Sequence, residues 1–244
     1  MIVYLVDTET TGLKGCYCGD KVVDIGIVEV DTAQMTVEPV YSEIVGYDVS
    51  KWSDEDRNAW IFVHSDLKLS DVSAGKPLDD VVREVRGILN YNVCTSYNVN
   101  FDFGHFLQYA PWAIRCELAP DVMLAAHNIV DGDYLFDDGS TSWPKLEKVY
   151  TALCPDDPVR LGGVQAHRAL SDAMQASHVM LRLIEMGEYP RDITLTGAPS
   201  GARFRSVRST DRLSGHAPCG SDIACPANTL APDLPKQRST DEVA

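Results

Sequence analysis

The chain opens on an unbroken apolar run, Ile2-Val3-Tyr4-Leu5-Val6, which passes directly into Asp7-Thr8-Glu9-Thr10-Thr11-Gly12. A short, β-branched run ended by a Gly-containing turn predicts a strand over residues 2–8. Two more strands are predicted over 22–30 and 36–46, joined by a hairpin at Asp31 to Gln34. Lys76-Pro77-Leu78 starts a helix over 77–90, whose apolar face is Leu78, Val81, Val82, Val85 and Leu89. The pattern continues with a strand over 93–97, a helix over 101–110 and a short strand near 112–117. Helices follow near 121–128, 143–153 and 170–186, the last closed by Gly187. Three antiparallel strands followed by alternating strands and helices fit an α/β domain, a mixed five-stranded sheet flanked by helices. From about Pro190 the periodicity dissolves into Pro, Gly, Ser and Thr, with six of the thirteen prolines at 190, 199, 218, 226, 232 and 235. The expected organisation is therefore one domain over 1–190 and a disordered tail over 191–244.

Strand side chains alternate faces, so Asp7 and Glu9 project to the same side of the first strand. Two close carboxylates repel each other unless a cation neutralises them, and a hard divalent ion such as Mg²⁺ or Mn²⁺ takes anionic oxygen ligands of this kind. Asp102 sits where the strand Val93 to Tyr97 hands over to a helix marked by Phe103, Phe106, Leu107 and Ala110. Asp172 lies in the first turn of the last helix. His167, five residues earlier, would stand about 140° away on a regular helix, so the two converge only if His167 belongs to the preceding loop, where Gly162-Gly163 supplies freedom. Taken singly, each of these residues has a plainer reading. Asp102 and Asp172 suit the positive end of a helix dipole, Asn98 caps or turns the chain, and His167 serves as a surface loop residue.

Together the three segments resemble the DnaQ-like exonucleases of the DEDDh type, which have the ribonuclease H-like fold. The motif Asp-x-Glu-Thr-x-Gly is met by Asp7 through Gly12, Asn-x-x-Phe-Asp by Asn98 through Asp102, and His-x-Ala-x-x-Asp by His167 through Asp172. The resemblance spans about Ile2 to Gly187, and His167-Arg168-Ala169-Leu170 with the modest length is most similar to the exodeoxyribonuclease X subfamily. It implies metal-dependent 3′→5′ hydrolysis releasing nucleoside 5′-monophosphates. Asp7, Glu9, Asp102 and Asp172 would hold two Mg²⁺ or Mn²⁺ ions, with His167 as general base. It also implies a pocket for the terminal nucleotide at Thr10, Thr11, Gly12 and Leu13, with His64, Asn98 and Phe101. The segment around His64, Trp60-Ile61-Phe62-Val63-His64-Ser65, departs from the family's His-Gly-Ile-Thr, which leaves a surface histidine as the competing reading. Phe101 and Phe103 suit either base stacking or the core of a strand-to-helix corner.

Composition narrows the partners. The net charge is −15, and residues 191–244 hold seven Lys/Arg against six Asp/Glu, leaving about −16 on the remainder. Such a surface repels long polyanions, so the substrate expected is a short single-stranded or frayed 3′ end, DNA favoured, gripped locally. Arg203, Arg205, Arg208 and Arg212 could lend a basic arm, although a solvated run is the commoner case. The resemblance, not the composition, leaves room for a DNA polymerase or a replication or repair protein as a partner. No stretch approaches the roughly 20 apolar residues of a membrane span, and the N-terminus reads as a core strand without a charged leader. A soluble, cytoplasmic protein, bacterial or phage-encoded, is therefore expected. Seven cysteines without a secretory signal read as free thiols, and Cys16-Tyr17-Cys18 has no second ligand pair to make a zinc site. Two alternatives stay open: an exoribonuclease that trims RNA 3′ ends, as ribonuclease T or oligoribonuclease does, and a non-catalytic polymerase-accessory or binding module.

Overall fold

The computed structural model of the chain describes residues 1–157 and 168–192. Its strands are β1 (Ile2–Thr10), β2 (Val22–Asp31), β3 (Thr36–Gly46), β4 (Lys76–Pro77), β5 (Val93–Thr95) and β6 (Glu117–Leu118). They form one mixed sheet in the order β4-β3-β2-β1-β5-β6. The pairs β1–β2 and β2–β3 are antiparallel, whereas β5 joins β1 and β6 joins β5 in parallel. The short helices Asp54–Arg57 (α1), Trp60–His64 (α2) and Leu69–Ala74 (α3) precede α4 (Leu78–Leu89). After β5 come α5 (Val99–Phe101), a π-helical turn at Asp102–Leu107, α6 (Val122–His127), α7 (Leu146–Leu153) and α8 (Ala169–Met186).

Alternation along the central strands sorts the core into two layers. Val3 and Leu5 of β1 and Val28 and Val30 of β2, all fully buried, face α6, α7 and α8. Val6 with Ile25 and Ile27 faces α4 and the π-helical turn. A third cluster, Trp52, Ala59, Ile61, Leu67 and Val72 around Val23, fastens α1 to α3 beside β2 and β3. These three helices have no sequence expectation behind them, because each is four to six residues long, too short for a helical period to register.

Three expectations are corrected in detail. The sheet has six strands among the described residues, not five, because Lys76–Pro77 pairs with Val45 and Gly46 before α4 begins. That approach needs two glycines: a Cβ on Gly46 would stand 2.4 Å from the Gly75 carbonyl oxygen. The strand expected near 112–117 is instead Glu117–Leu118: residues 111 and 112 lie in a turn, and Ala113 has a left-handed φ of 43° that interrupts extended backbone, while Trp112 and Ile114 are buried in the core with α4. The helix expected over 101–110 is instead the short α5 followed by a π-helical turn, in which the Gln108 amide reaches the Phe103 carbonyl. The wider turn buries Asp102 together with Phe103, Phe106 and Leu107. The tail expected over 191–244 lies outside the described residues from 193 onward. No helix among the described residues is long and apolar enough to cross a membrane.

Candidate active site

On the face of β1 and β2 that carries Val3, Leu5, Val28 and Val30, the last two positions of each strand toward one end are not apolar. They are Asp7 and Glu9 on β1, which lie opposite Gly26 and Asp24 on β2. The apolar layer under α8 thus ends in carboxylates. Gly26 leaves room for α8 to touch bare strand, because a Cβ there would stand 2.3 Å from the Leu170 amide nitrogen. With its first turn seated so closely, α8 brings Asp172 over the strand ends. Asp7, Glu9 and Asp172 each offer a carboxylate oxygen, and these atoms lie within 4.8 Å of one another.

Asp102 approaches from the other side. Thr8, facing opposite to Asp7 and Glu9, donates its hydroxyl to Asp102 Oδ1 at 2.7 Å. Asp102 is 3% exposed and opens the π-helical turn, a local widening often found at functional sites. Asn98 caps α5 by accepting the Phe101 amide at 3.2 Å, and both residues border the same cleft as the four carboxylates. This cleft, about 170 Å³, is completed by Thr8, Tyr97 and Leu146.

Three of these carboxylates, Asp7, Glu9 and Asp102, hold their protons more tightly than usual. Burial, then the charges of Asp102, Asp172, Glu9 and Asp24, push Asp7 well above the ordinary carboxylate range. Burial and the charges of Asp172, Asp24 and Asp102 raise Glu9 to about 8, with Arg168 opposing. Burial raises Asp102 to about 7 against the hydrogen bond from Thr8. Oxygen donors alone, mutually repelling and at least half-buried, are what a hard divalent cation would relieve, so the donor set fits such a cation.

The direction of these shifts fixes a stability profile. Glu9 binds its proton more tightly folded, at about 8, than at its ordinary 4.5. Its stabilising contribution is complete below about 4.5, erodes as the pH climbs and is gone above 8; Asp102 acts in the same sense between 3.8 and about 7. The metal-free protein should therefore melt lower at pH 8 than at pH 5.5, by several degrees at about 2–4 °C per kcal/mol. Added Mn²⁺ should raise the melting temperature more at pH 8, where no proton competes, and Glu9→Gln should flatten the metal-free profile. Scanning fluorimetry from pH 5 to 9 checks this, and a wild-type profile already flat across that range contradicts the assigned shifts.

Among the described residues, Thr10, Thr11, Gly12, Leu13 and His64 do not line the cleft. Thr10 donates to the Gly12 carbonyl at 2.7 Å, and Thr11 Oγ1 accepts the Lys21 amide at 3.0 Å. A Cβ on Gly12 would stand 2.5 Å from the Asp20 carboxylate, so a larger residue there would have to displace that side chain. Leu13 is 76% exposed on the same loop. His64 ends α2, exposed and stacked on Trp60 at 4.5 Å between ring centroids. His167 lies outside the described residues. Sequence reasoning missed Thr8, Tyr97, Leu146, Asp24 and Arg168. Only Asp24 carried a readable signal, a charge inside the otherwise apolar run Val22-Val23-Asp24-Ile25-Gly26-Ile27-Val28.

Comparisons with known proteins identify the family and the fold. The family model of the ribonuclease T type, described as Exonuclease, matches residues 5–180, well over half of the chain. No curated protein sequence matches. Among solved structures, a full-length 3′-exonuclease superposes with a TM-score of 0.55 at 15% identity, covering 82% of this chain and 92% of that one. Exonuclease I of E. coli in complex with a dT13 oligonucleotide gives 0.52 at 16% identity, covering 75% and 41%. The nuclease domain of 3′hExo, a DEDDh family member bound to rAMP, gives 0.51 at 14% identity, covering 78% and 94%. At these identities the likeness establishes the fold.

Proposed function

Because the chain belongs to the exonuclease family, as a DnaQ-like DEDDh 3′→5′ exonuclease, we propose that it hydrolyses the terminal phosphodiester of a DNA 3′ end and releases nucleoside 5′-monophosphates. The observation that carries the chemistry is the convergence of Asp7, Glu9 and Asp172 oxygens within 4.8 Å, with Asp102 on the same cleft. Two Mg²⁺ or Mn²⁺ ions bound there would supply stabilisation of the attacking and departing oxygens of an in-line displacement.

In this reading the chain's own groups divide the work. Asp7, Glu9, Asp102 and Asp172 provide the negative oxygen cage. His167 takes the proton from the attacking water, a task suited to an imidazole titrating near neutrality. Tyr97, Phe101 and Leu146 supply the apolar part of the cleft wall, against which a terminal sugar or base packs. Asn98 holds Phe101 in place through the cap, so its role is in the wall's geometry. The acidic surface favours a short 3′ end over a long polyanion track.

DNA is favoured by the similarity of His167-Arg168-Ala169-Leu170 to exodeoxyribonuclease X. RNA trimming is the second reading, favoured by the rAMP bound to the similar 3′hExo domain. The test offers purified protein 5′-labelled single- and double-stranded DNA and RNA with Mg²⁺, Mn²⁺ or EDTA. The expected result is a ladder shortening from the 3′ end of single-stranded DNA, absent with EDTA. Equal or faster shortening of RNA transfers the assignment to an exoribonuclease, and binding without any cleavage transfers it to an accessory module.

A further inference from the structure

Asp24 is a charged residue in the most deeply buried strand of the sheet, 1% exposed between Val23 and Ile25, which are fully buried. Its Oδ2 accepts Arg168 Nε at 2.8 Å and the Ala169 amide at 3.2 Å. Arg168 is the N-cap residue of α8 and makes no side-chain cap of its own, so the first amide of that helix takes its acceptor from a strand 145 residues away in the chain. Two residues along β2 and on the same face, Gly26 admits Leu170 against bare backbone. The start of α8 therefore rests on two points of β2, a charged clamp at Asp24 and a contact at Gly26.

Those two points are the register partners of two carboxylates of the site, Asp24 of Glu9 and Gly26 of Asp7. Any turn or slide of α8 on this seat moves Asp172 relative to Asp7 and Glu9. We propose that Asp24 is a positioning residue, whose clamp on Arg168 and Ala169 sets the approach of Asp172 to Asp7 and Glu9 and so the geometry of the cation site. This rests on the two-ion reading above.

Stability alone is a poor reason for such a pair. A buried ion pair gains little over apolar packing of the same volume, because desolvation offsets most of the attraction. Asp24 Oδ1 has no hydrogen-bond partner among the described residues, which adds to the cost. Arg168 also reaches Asp66 at 3.8 Å, so it is held from two sides. The clamp moreover balances charge at the site: Arg168 bears on Glu9 with the opposite sign to Asp24. Without Asp24, the guanidinium would keep only the longer contact to Asp66 and would add positive charge beside the cation site.

The test compares wild type, Asp24→Asn, Arg168→Gln and the double variant, with Asp7→Ala as the control that removes a ligand. Mn²⁺ binding is measured by calorimetry, the melting temperature is taken without metal, and kcat and KM are determined on a 5′-labelled oligonucleotide at saturating metal. Asp24→Asn is expected to weaken Mn²⁺ binding about 10–100-fold, the usual cost of losing a group that orients ligands. Its kcat should fall with KM nearly unchanged, and the double variant should recover part of the metal affinity because the stray positive charge is gone. Arg168→Gln probes the clamp from its partly exposed side should Asp24→Asn fail to fold, and it should show the same split of kcat from KM. Variants that melt lower yet keep wild-type metal affinity and kcat overturn the proposal, leaving Asp24 a structural cap. Failure of the wild type itself to bind Mn²⁺ overturns the two-ion reading and the clamp's role with it, and is told apart because the reference arm is the one that fails.

Discussion

Asp7→Ala is expected to abolish hydrolysis, a loss of about 10³-fold or more, while raising the melting temperature of the metal-free protein. Stabilising both oxygens of a displacement is worth several kcal/mol, at 1.36 kcal/mol for each factor of ten, and removing a ligand shared by the cluster forfeits most of it. The same carboxylate is a burden when no cation is bound. It is held well above its ordinary range by burial and by Asp102, Asp172, Glu9 and Asp24, so deleting it relieves desolvation and repulsion together. Opposite signs on activity and stability distinguish a functional carboxylate from a structural one, which would lose both. Single-turnover rates and melting curves on the same preparation check this, and full turnover in Asp7→Ala would remove the two-ion hypothesis.

The second large effect concerns the general base. His167→Ala should bind metal and oligonucleotide almost as wild type does and lose about 10²–10⁴-fold in the chemical step, the usual worth of a positioned proton acceptor. The acidic limb of the pH–rate profile should flatten as well, because the wild type must deprotonate His167 before it can accept a proton from water. Single-turnover rates over about pH 6 to 9, the span of a shifted imidazole, read both effects. A variant that keeps the wild-type rate and acidic limb would move His167 out of catalysis. His167 itself lies outside the described residues.

Asp7 and Glu9 were legible as a pair because a strand's two-residue period puts i and i+2 on one face without any knowledge of the rest of the fold. Asp102 and Asp172 were legible through the motifs around them and through their places at helix starts. The wall residues were not. Tyr97 and Leu146 belong to segments 49 residues apart, and only the packing of α7 against α8 within the same core brings them to one cleft. Thr8 had no signal either, since a threonine between two carboxylates in a strand reads as an ordinary β-former until its hydroxyl is seen on Asp102.

The sequence by itself determined the elements with a long, clean period: β1 to β3, α4, α8 and the order in which they occur, because amphipathic repetition and β-branched runs are local properties of the chain. It also picked out the four carboxylates that the structure brings to one cleft, and the exonuclease class, since these lie in compact motifs. The tertiary structure decided what depends on surroundings. It made a two-residue strand of Lys76–Pro77, because paired glycines let β3 approach, and it widened the helix after Asp102, because Phe103, Phe106 and Leu107 had to reach one core. It raised Glu9 to about 8, because burial, and then the charges of Asp172, Asp24 and Asp102 from three separate elements, disfavour its ionised form. And it turned Asp24, a lone charge in an apolar run, into the seat of the helix that carries Asp172, since a pairing across 145 residues exists only once the sheet and α8 have met.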